Sequence, residues 1–249
     1  MRDPKVGRKP VCLVVGAGDG VGSAIARAFA ADGMTVCVTR RPRNQAQLDK
    51  LADSVRAAGA EAHAFGVDAR HEQDMVELFA HIEREIGPLE VVVFNIGANV
   101  RHEIRETSAR VFTKVWEMAC FAGFITGREA AKVMVPRGLG SIFFTGATAS
   151  LRGGAGFAAF AAAKSGLRAL AQSMARELGP QGIHVAHVVV DGAIDGTFIR
   201  STGADVPALL ERDAILKPDE IAKNYVWLHK QARSAWTHEL DLRPWVEHF

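Results

Sequence analysis

The chain has 249 residues, 48% hydrophobic and 23% charged, which is ordinary for a globular protein and enough to bury a substantial core. A net charge of +2 gives no support to a nucleic-acid partner, and no apolar run approaches the ~20 residues that span a bilayer. The basic start, residues 1–10, leads into no apolar h-region, so it predicts a flexible tail and not a signal peptide. Cys12, Cys37 and Cys120 lack metal-ligand spacing; they read as small buried side chains in a reducing cytoplasm, with no metal site.

The apolar run Val11–Val15 predicts a strand covered on both faces. A glycine loop follows, with Gly16, Gly20 and Gly22 spaced G-x-x-x-G-x-G and with Gly18, Asp19 and Val21 between them. Ile25, Ala26, Phe29 and Ala30 then recur at helical spacing. Strand, glycine turn and helix together make a dinucleotide-phosphate site, because glycine lets backbone approach a pyrophosphate and the helix start supplies free N–H groups. Met34–Thr39 is a second strand, ending in Arg40 and Arg41. Gln45–Ala58 is helical, Ala62–Val67 is a third strand closing on Asp68, and Glu72–Ile86 is a helix stopped by Gly87-Pro88.

Leu89–Phe94 is the fourth strand, running into Asn95-Ile96-Gly97-Ala98. A long helical region covers roughly residues 108–135 and stops at Pro136. Gly140–Thr145 is a strand, Gly156–Leu178 an alanine-rich helix and Ile183–Val190 a sixth strand. Irregular sequence reaches Lys217, before a helix near Pro218–Lys230 and a short strand around His238–Leu242. Alternation without linkers implies one domain, residues 11–249: a doubly wound parallel α/β sheet of Rossmann type in three layers. Ligands bind such sheets at the carboxyl ends of the strands. Those ends carry the glycine loop, Arg40, Arg41, Asp68, residues 95–98, residues 145–150 and residues 191–197.

An acidic residue about 20 positions beyond the glycine loop would hold the ribose of NAD, whereas arginine there receives the 2′-phosphate of NADP. Arg40 and Arg41 occupy that place, with no carboxylate beside them, which favours NADP(H) over NAD(H). Asp19 adds negative charge near the phosphates and weakens the preference slightly. Asp68 either hydrogen-bonds an adenine amino group or caps the next helix.

These pieces, in this order, resemble the short-chain dehydrogenase/reductase family over nearly the whole chain, from Val11 to about Leu242. The likeness rests on GAGDGVG at Gly16–Gly22, the Asp68 position, NIGA at Asn95–Ala98 (similar to the family's NNAG), GSIFFTGATAS, FAAAK at Phe160–Lys164, and KPDEIA at Lys217–Ala222. The resemblance implies a nicotinamide cofactor held by the loop, Asp68, Asn95, Gly97 and Lys164, a small-molecule substrate, and a homodimer or homotetramer built on the two long helices. It also implies chemistry by an Asn-Ser-Tyr-Lys set, of which only Lys164 survives. The tyrosine position is Phe160, the serine position Ala147 and the asparagine position Cys120. Phenylalanine has no proton to give and alanine no hydroxyl.

No substitute is evident from position. Tyr225 lies in the late helix. Thr148 and Ser150 would need a backbone other than extended to reach the vacated place. His102 and Glu103 follow the fourth strand on what is more ordinarily an exposed loop. Asp191 and Asp195 face either the crevice or the segment they would cap, and His184 and His187 point to opposite sides of their strand. Three readings follow: an oxidoreductase of atypical mechanism, a catalytically silent nucleotide-binding sensor or scaffold, and an enzyme that reuses the crevice without redox chemistry.

Overall fold

Near-continuous runs of Val, Ile, Leu and Phe give strands that can be buried on both faces, as a parallel sheet requires. The computed structural model of the chain describes residues 7–247, so the first six residues of the expected tail lie outside it. Its strands are β1 (Val11–Val15), β2 (Thr35–Arg40), β3 (Ala62–Gly66), β4 (Leu89–Phe94), β5 (Gly140–Thr145), β6 (Ile183–Val190) and β7 (Glu239–Leu242). They form one parallel sheet in the order β3-β2-β1-β4-β5-β6-β7. The helices are α1 (Val21–Ala31), α2 (Gln45–Ala57), α3 (Glu72–His81), α4 (Ala109–Trp116), α5 (Ala122–Met134), α6 (Ala158–Leu178), α7 (Thr197–Ser201), α8 (Val206–Glu211) and α9 (Pro218–His229).

Alternate residues of each strand serve opposite layers. Cys12 and Val14 pack with Ile25 and Phe29 of α1 and Tyr225 of α9. Leu13 and Val15 pack with Phe79 of α3, Ile125 of α5 and Leu167 of α6. The sheet order reverses between β1 and β4, and that reversal opens a crevice above their carboxyl ends.

Three expectations need correction. The helix expected over 108–135 is not continuous: a π-helical turn, Glu117–Phe121, separates α4 from α5, and a 3₁₀ turn, Val135–Arg137, carries the chain through Pro136. A similar π turn, Ile82–Ile86, ends the third helix. Apolar spacing does not distinguish one i→i+5 turn from the α-helix around it. The alanine-rich helix starts at Ala158, because Gly156 sits at φ +83°. The stretch expected to be irregular contains α7 and α8, the latter capped by Asp205, which accepts from Ala208 N at 3.2 Å. Helices of five and six residues are too short to show a period. Among the described residues no helix is long and apolar enough to cross a membrane.

Candidate functional site

A crevice of about 790 Å³ runs along the strand ends. Its floor begins at the glycine loop. A Cβ on Gly22 would lie 2.5 Å from the Gly16 carbonyl oxygen, and one on Gly16, at φ +93°, would lie 3.0 Å from the Asn95 backbone. These two glycines let the loop fold against α1 and the end of β4. Gly18 and Gly20 have another use: a Cβ on Gly20 meets nothing within 4 Å, and one on Gly18 meets only the Arg40 guanidinium at 3.9 Å. Side chains there would fill the crevice, so the floor is bare backbone. Asn95 Nδ2 pins the loop by donating to Gly16 O at 3.1 Å. Of the first amides of α1, Ser23 N and Ala24 N donate back to Gly18 O (2.9 Å) and Gly20 O (3.2 Å), which leaves those of Val21 and Gly22 for a ligand at the helix start. Bare backbone beside free amides fits a nucleotide diphosphate. Across the mouth, Thr197 Oγ1 donates to the Asp19 carboxylate, tying the loop to α7.

One end of the crevice is cationic. Arg40, Arg41 and Arg70 line it, and Arg40 donates to Gln47 at 2.6 Å. Burial and the neighbouring guanidinium of Arg43 lower the pKa of Arg41, with Arg70 and Arg40 acting in the same sense. Cations that disfavour one another's charge create a place for an anion. Asp68, expected as an adenine contact or a helix cap, does not cap: the N-cap of α3 is His71. Its carboxylate accepts two bonds from the Arg70 guanidinium (3.0 and 2.6 Å) and one from Arg70 N, and these bonds lower its pKa against the opposing effect of burial. Arg70 also reaches Glu117 of the π turn at 3.6 Å. The sequence reading missed Arg70; its signal was an arginine two residues beyond a strand-terminal aspartate.

The other end is apolar. Phe160 and Cys120 are buried with Val115, Ala119, Ala149, Ala159 and Ala163, and Ala98, Ala147 and Phe157 pack against them. Three of the four positions that the family resemblance marks for chemistry therefore sit in or against one small apolar cluster. Burial raises the Cys120 thiol pKa, which removes it as a nucleophile. Lys164 is buried, and its Nζ donates to Ile96 O (2.9 Å) and Thr145 O (2.8 Å). Burial pulls its pKa down to about 7, and either protonation state has the two N–H groups those carbonyls need. Ala98 stands at the last position of NIGA with φ +62°, a conformation that costs a non-glycine residue about 1–2 kcal/mol.

The remaining candidates separate clearly. Tyr225 is buried in the far layer, where its hydroxyl meets Thr145 Oγ1 at 2.7 Å. Asp195 is engaged by Arg200 at 2.9 and 3.0 Å. His102 and Glu103 are exposed and outside the crevice lining. After Ala147 the chain turns into a 3₁₀ helix, Thr148–Ser150, so the backbone there is not extended. Ser150 Oγ turns back to accept from Ala147 N at 3.1 Å, while Thr148 faces the crevice and donates to the buried Asp191. Arg152, Phe157 and Phe198 also line the crevice, and nothing in the sequence pattern marks them.

His184 and His187 do face opposite sides. His184 stacks on Trp236 at 4.8 Å, and His187 Nδ1 meets Glu239 at 3.0 Å, with Arg168 clamping the same carboxylate. The absent side chain of Gly146 leaves room for the His187 ring. Burial drives the His187 pKa down to about 4, against the pull of Glu239. Between pH 4 and about 6.5 the unfolded chain therefore binds a proton that the folded one refuses, and stability falls as pH drops through that window, by about 3 kcal/mol in all. Denaturant midpoints from pH 7 to 4.5 will decline less steeply in His187→Gln than in the unaltered protein; equal slopes would contradict this assignment.

A family model described as short chain dehydrogenase matches residues 10–205. Among solved structures, a short-chain dehydrogenase from Rhodopseudomonas palustris is 48% identical with a TM-score of 0.81, over 96% of this chain and 100% of that one. By sequence, a short-chain dehydrogenase/reductase of Armillaria gallica is 31% identical over 186 residues, 74% of this chain and 71% of the relative. Actinorhodin polyketide ketoreductase, in a structure with NADPH, shares the fold at a TM-score of 0.86 and 24% identity, over 95% of this chain and 96% of that one.

Proposed function

The chain belongs to the short-chain dehydrogenase/reductase family, a family of oxidoreductases, and on that premise we propose that residues 11–249 form one domain that takes NADP(H) in preference to NAD(H). The observation that carries the preference is the cluster of Arg40, Arg41 and Arg70 at the end of the crevice, where the carboxylates of Asp68 and Glu117 are both engaged by Arg70. A 2′-phosphate would supply the missing anion. In this reading Gly16, Gly18, Asp19, Gly20, Val21 and Gly22 surround the diphosphate, Asn95 and Gly97 border the nicotinamide side, and Lys164 holds the adjacent ribose. Asp68 keeps lone pairs for an adenine amino group. When bound, the cofactor supplies the hydride chemistry. Saturable NADPH binding to the purified protein tests the reading, and a protein that binds neither dinucleotide would overturn it.

The chemistry is atypical, because Phe160 and Ala147 can neither give nor orient a proton and Cys120 packs beneath them. An oxidoreductase acting on a small molecule by another proton route is the first reading. A silent nucleotide-binding protein is the second, favoured by the apolar cluster where the hydroxyls are missing. Free, buried thiols at Cys12, Cys37 and Cys120 suit a reducing cytoplasm.

We also propose a homo-oligomer, dimer or tetramer. Phe112, Trp116 and Phe124 lie on one side of α4 and α5, each 40–41% exposed, and Trp116 and Phe124 both stack on Phe121. Ala162 and Ala169 of α6 are exposed small residues that permit close helix approach, whereas Ala159 is buried within the protomer and takes no part. Light scattering at micromolar concentration should report at least a dimer. A monomer mass would refute it.

A further inference from the structure

One hydroxyl still opens into the apolar half of the crevice, and it has a carboxylate behind it. The 3₁₀ turn after Ala147 points Thr148 at the crevice, where its Oγ1 donates to Asp191 Oδ1. Asp191 follows β6 directly and is completely buried. Its Oδ2 makes no hydrogen bond; it lies 3.6 Å from the Arg152 guanidinium, in the turn after β5, and 3.7 Å from that of Arg243, after β7. The alternatives on this wall are occupied: Lys164 by two carbonyls, Ser150 by Ala147 N, and Cys120 by apolar neighbours. The carboxylates that line the crevice directly, Asp19 and Asp68, belong to the nucleotide end.

We propose that Thr148 and Asp191 form a proton relay in place of the missing tyrosine, and that the substrate is an alcohol whose oxygen reaches Thr148. The proposal rests on the cofactor reading above, with an oxidised nicotinamide dinucleotide as hydride acceptor. As the substrate C–H bond gives up its hydride, the O–H proton passes to Thr148 Oγ1 and the proton of Thr148 passes to Asp191 Oδ1. The substrate's C–H and O–H bonds break and a C=O bond forms. After product leaves, the proton returns through Thr148 to water in the crevice. Thr148 is the catalytic residue, and Asp191 acts through it. The apolar body of the substrate lies against Met118, Phe157, Phe160 and Phe198.

Trifluoroethanol, an alcohol that resists oxidation, probes the relay without turnover. Calorimetry first measures NADP⁺ affinity in each variant, which reads the cofactor claim on its own. Trifluoroethanol is then titrated into the NADP⁺-loaded proteins. The expected result is binding to the unaltered protein, at least tenfold weaker in Thr148→Val and in Asp191→Asn, and within twofold of unaltered in Thr148→Ser, with NADP⁺ affinity unchanged throughout. If Thr148 made no contact with the alcohol, trifluoroethanol would bind the NADP⁺-loaded Thr148→Val and Thr148→Ser variants alike. That outcome, equal affinities in every variant, or no trifluoroethanol binding to a protein that binds NADP⁺, would overturn the relay.

Discussion

Ketones and aldehydes that do not bring their oxygen to Thr148 should be reduced by NADPH at rates about 10²–10⁴ below those a tyrosine-equipped site would reach, because a positioned general acid contributes on that order. Phe160 replaces the acid, Ala147 the orienting hydroxyl, and both lie in or against the cluster that holds Cys120. The residual rate should be indifferent to Lys164→Ala once NADPH is saturating, since no tyrosine is present for the lysine to activate. Lys164 keeps a binding role, and Lys164→Ala should weaken NADPH affinity. The double variant Ala147→Ser/Phe160→Tyr should recover at least tenfold in ketone reduction, provided its NADPH affinity is retained. A panel of ketones, aldehydes, quinones and enones checks this spectrophotometrically. Robust turnover of a simple ketone that is unaffected by Thr148→Val would contradict it, and turnover confined to enones or quinones would favour altered chemistry over silence.

The second large effect is expected at the opposite end of the crevice. Hydrogen bonds to charged groups contribute about 1.5–3 kcal/mol each, so losing a 2′-phosphate contact should cost roughly tenfold or more in affinity. Arg41 is the better placed of the pair, because burial and its cationic neighbours already disfavour its charge when no anion is present. Arg40 is partly engaged by Gln47 and borders Gly18. Replacing both by alanine should leave NADH affinity nearly unchanged while NADPH affinity falls toward it.

The centre of the sheet was legible in the sequence because β1 and β4, and most of β5 and β6, read as near-continuous apolar runs that end at glycine or a polar residue. The crevice followed from that alternation, and the glycine loop and Arg40/Arg41 lie where it predicts. What stayed hidden depends on contacts without a period. Arg70 folds back on Asp68 from two residues away, and the π turn at Glu117–Phe121 leaves no mark in apolar spacing. On an extended strand end Thr148 does not reach the site, whereas a single 3₁₀ turn re-aims it at Asp191. Asp191 itself looked like an ordinary capping residue; its complete burial comes from tertiary packing against the segment after β7, where Pro244 covers Gly192. In each case one or two hydrogen bonds specify the arrangement, and pattern alone does not.

Side-by-side calorimetric titration of the unaltered protein with NADPH and NADH tests most directly the claim that a cofactor site persists while the usual proton donor is gone. The account predicts saturable binding of both, with NADPH at least tenfold tighter and the gap closing to about twofold in Arg40→Ala/Arg41→Ala. Equal affinities in the unaltered protein, or binding of neither dinucleotide, would contradict it.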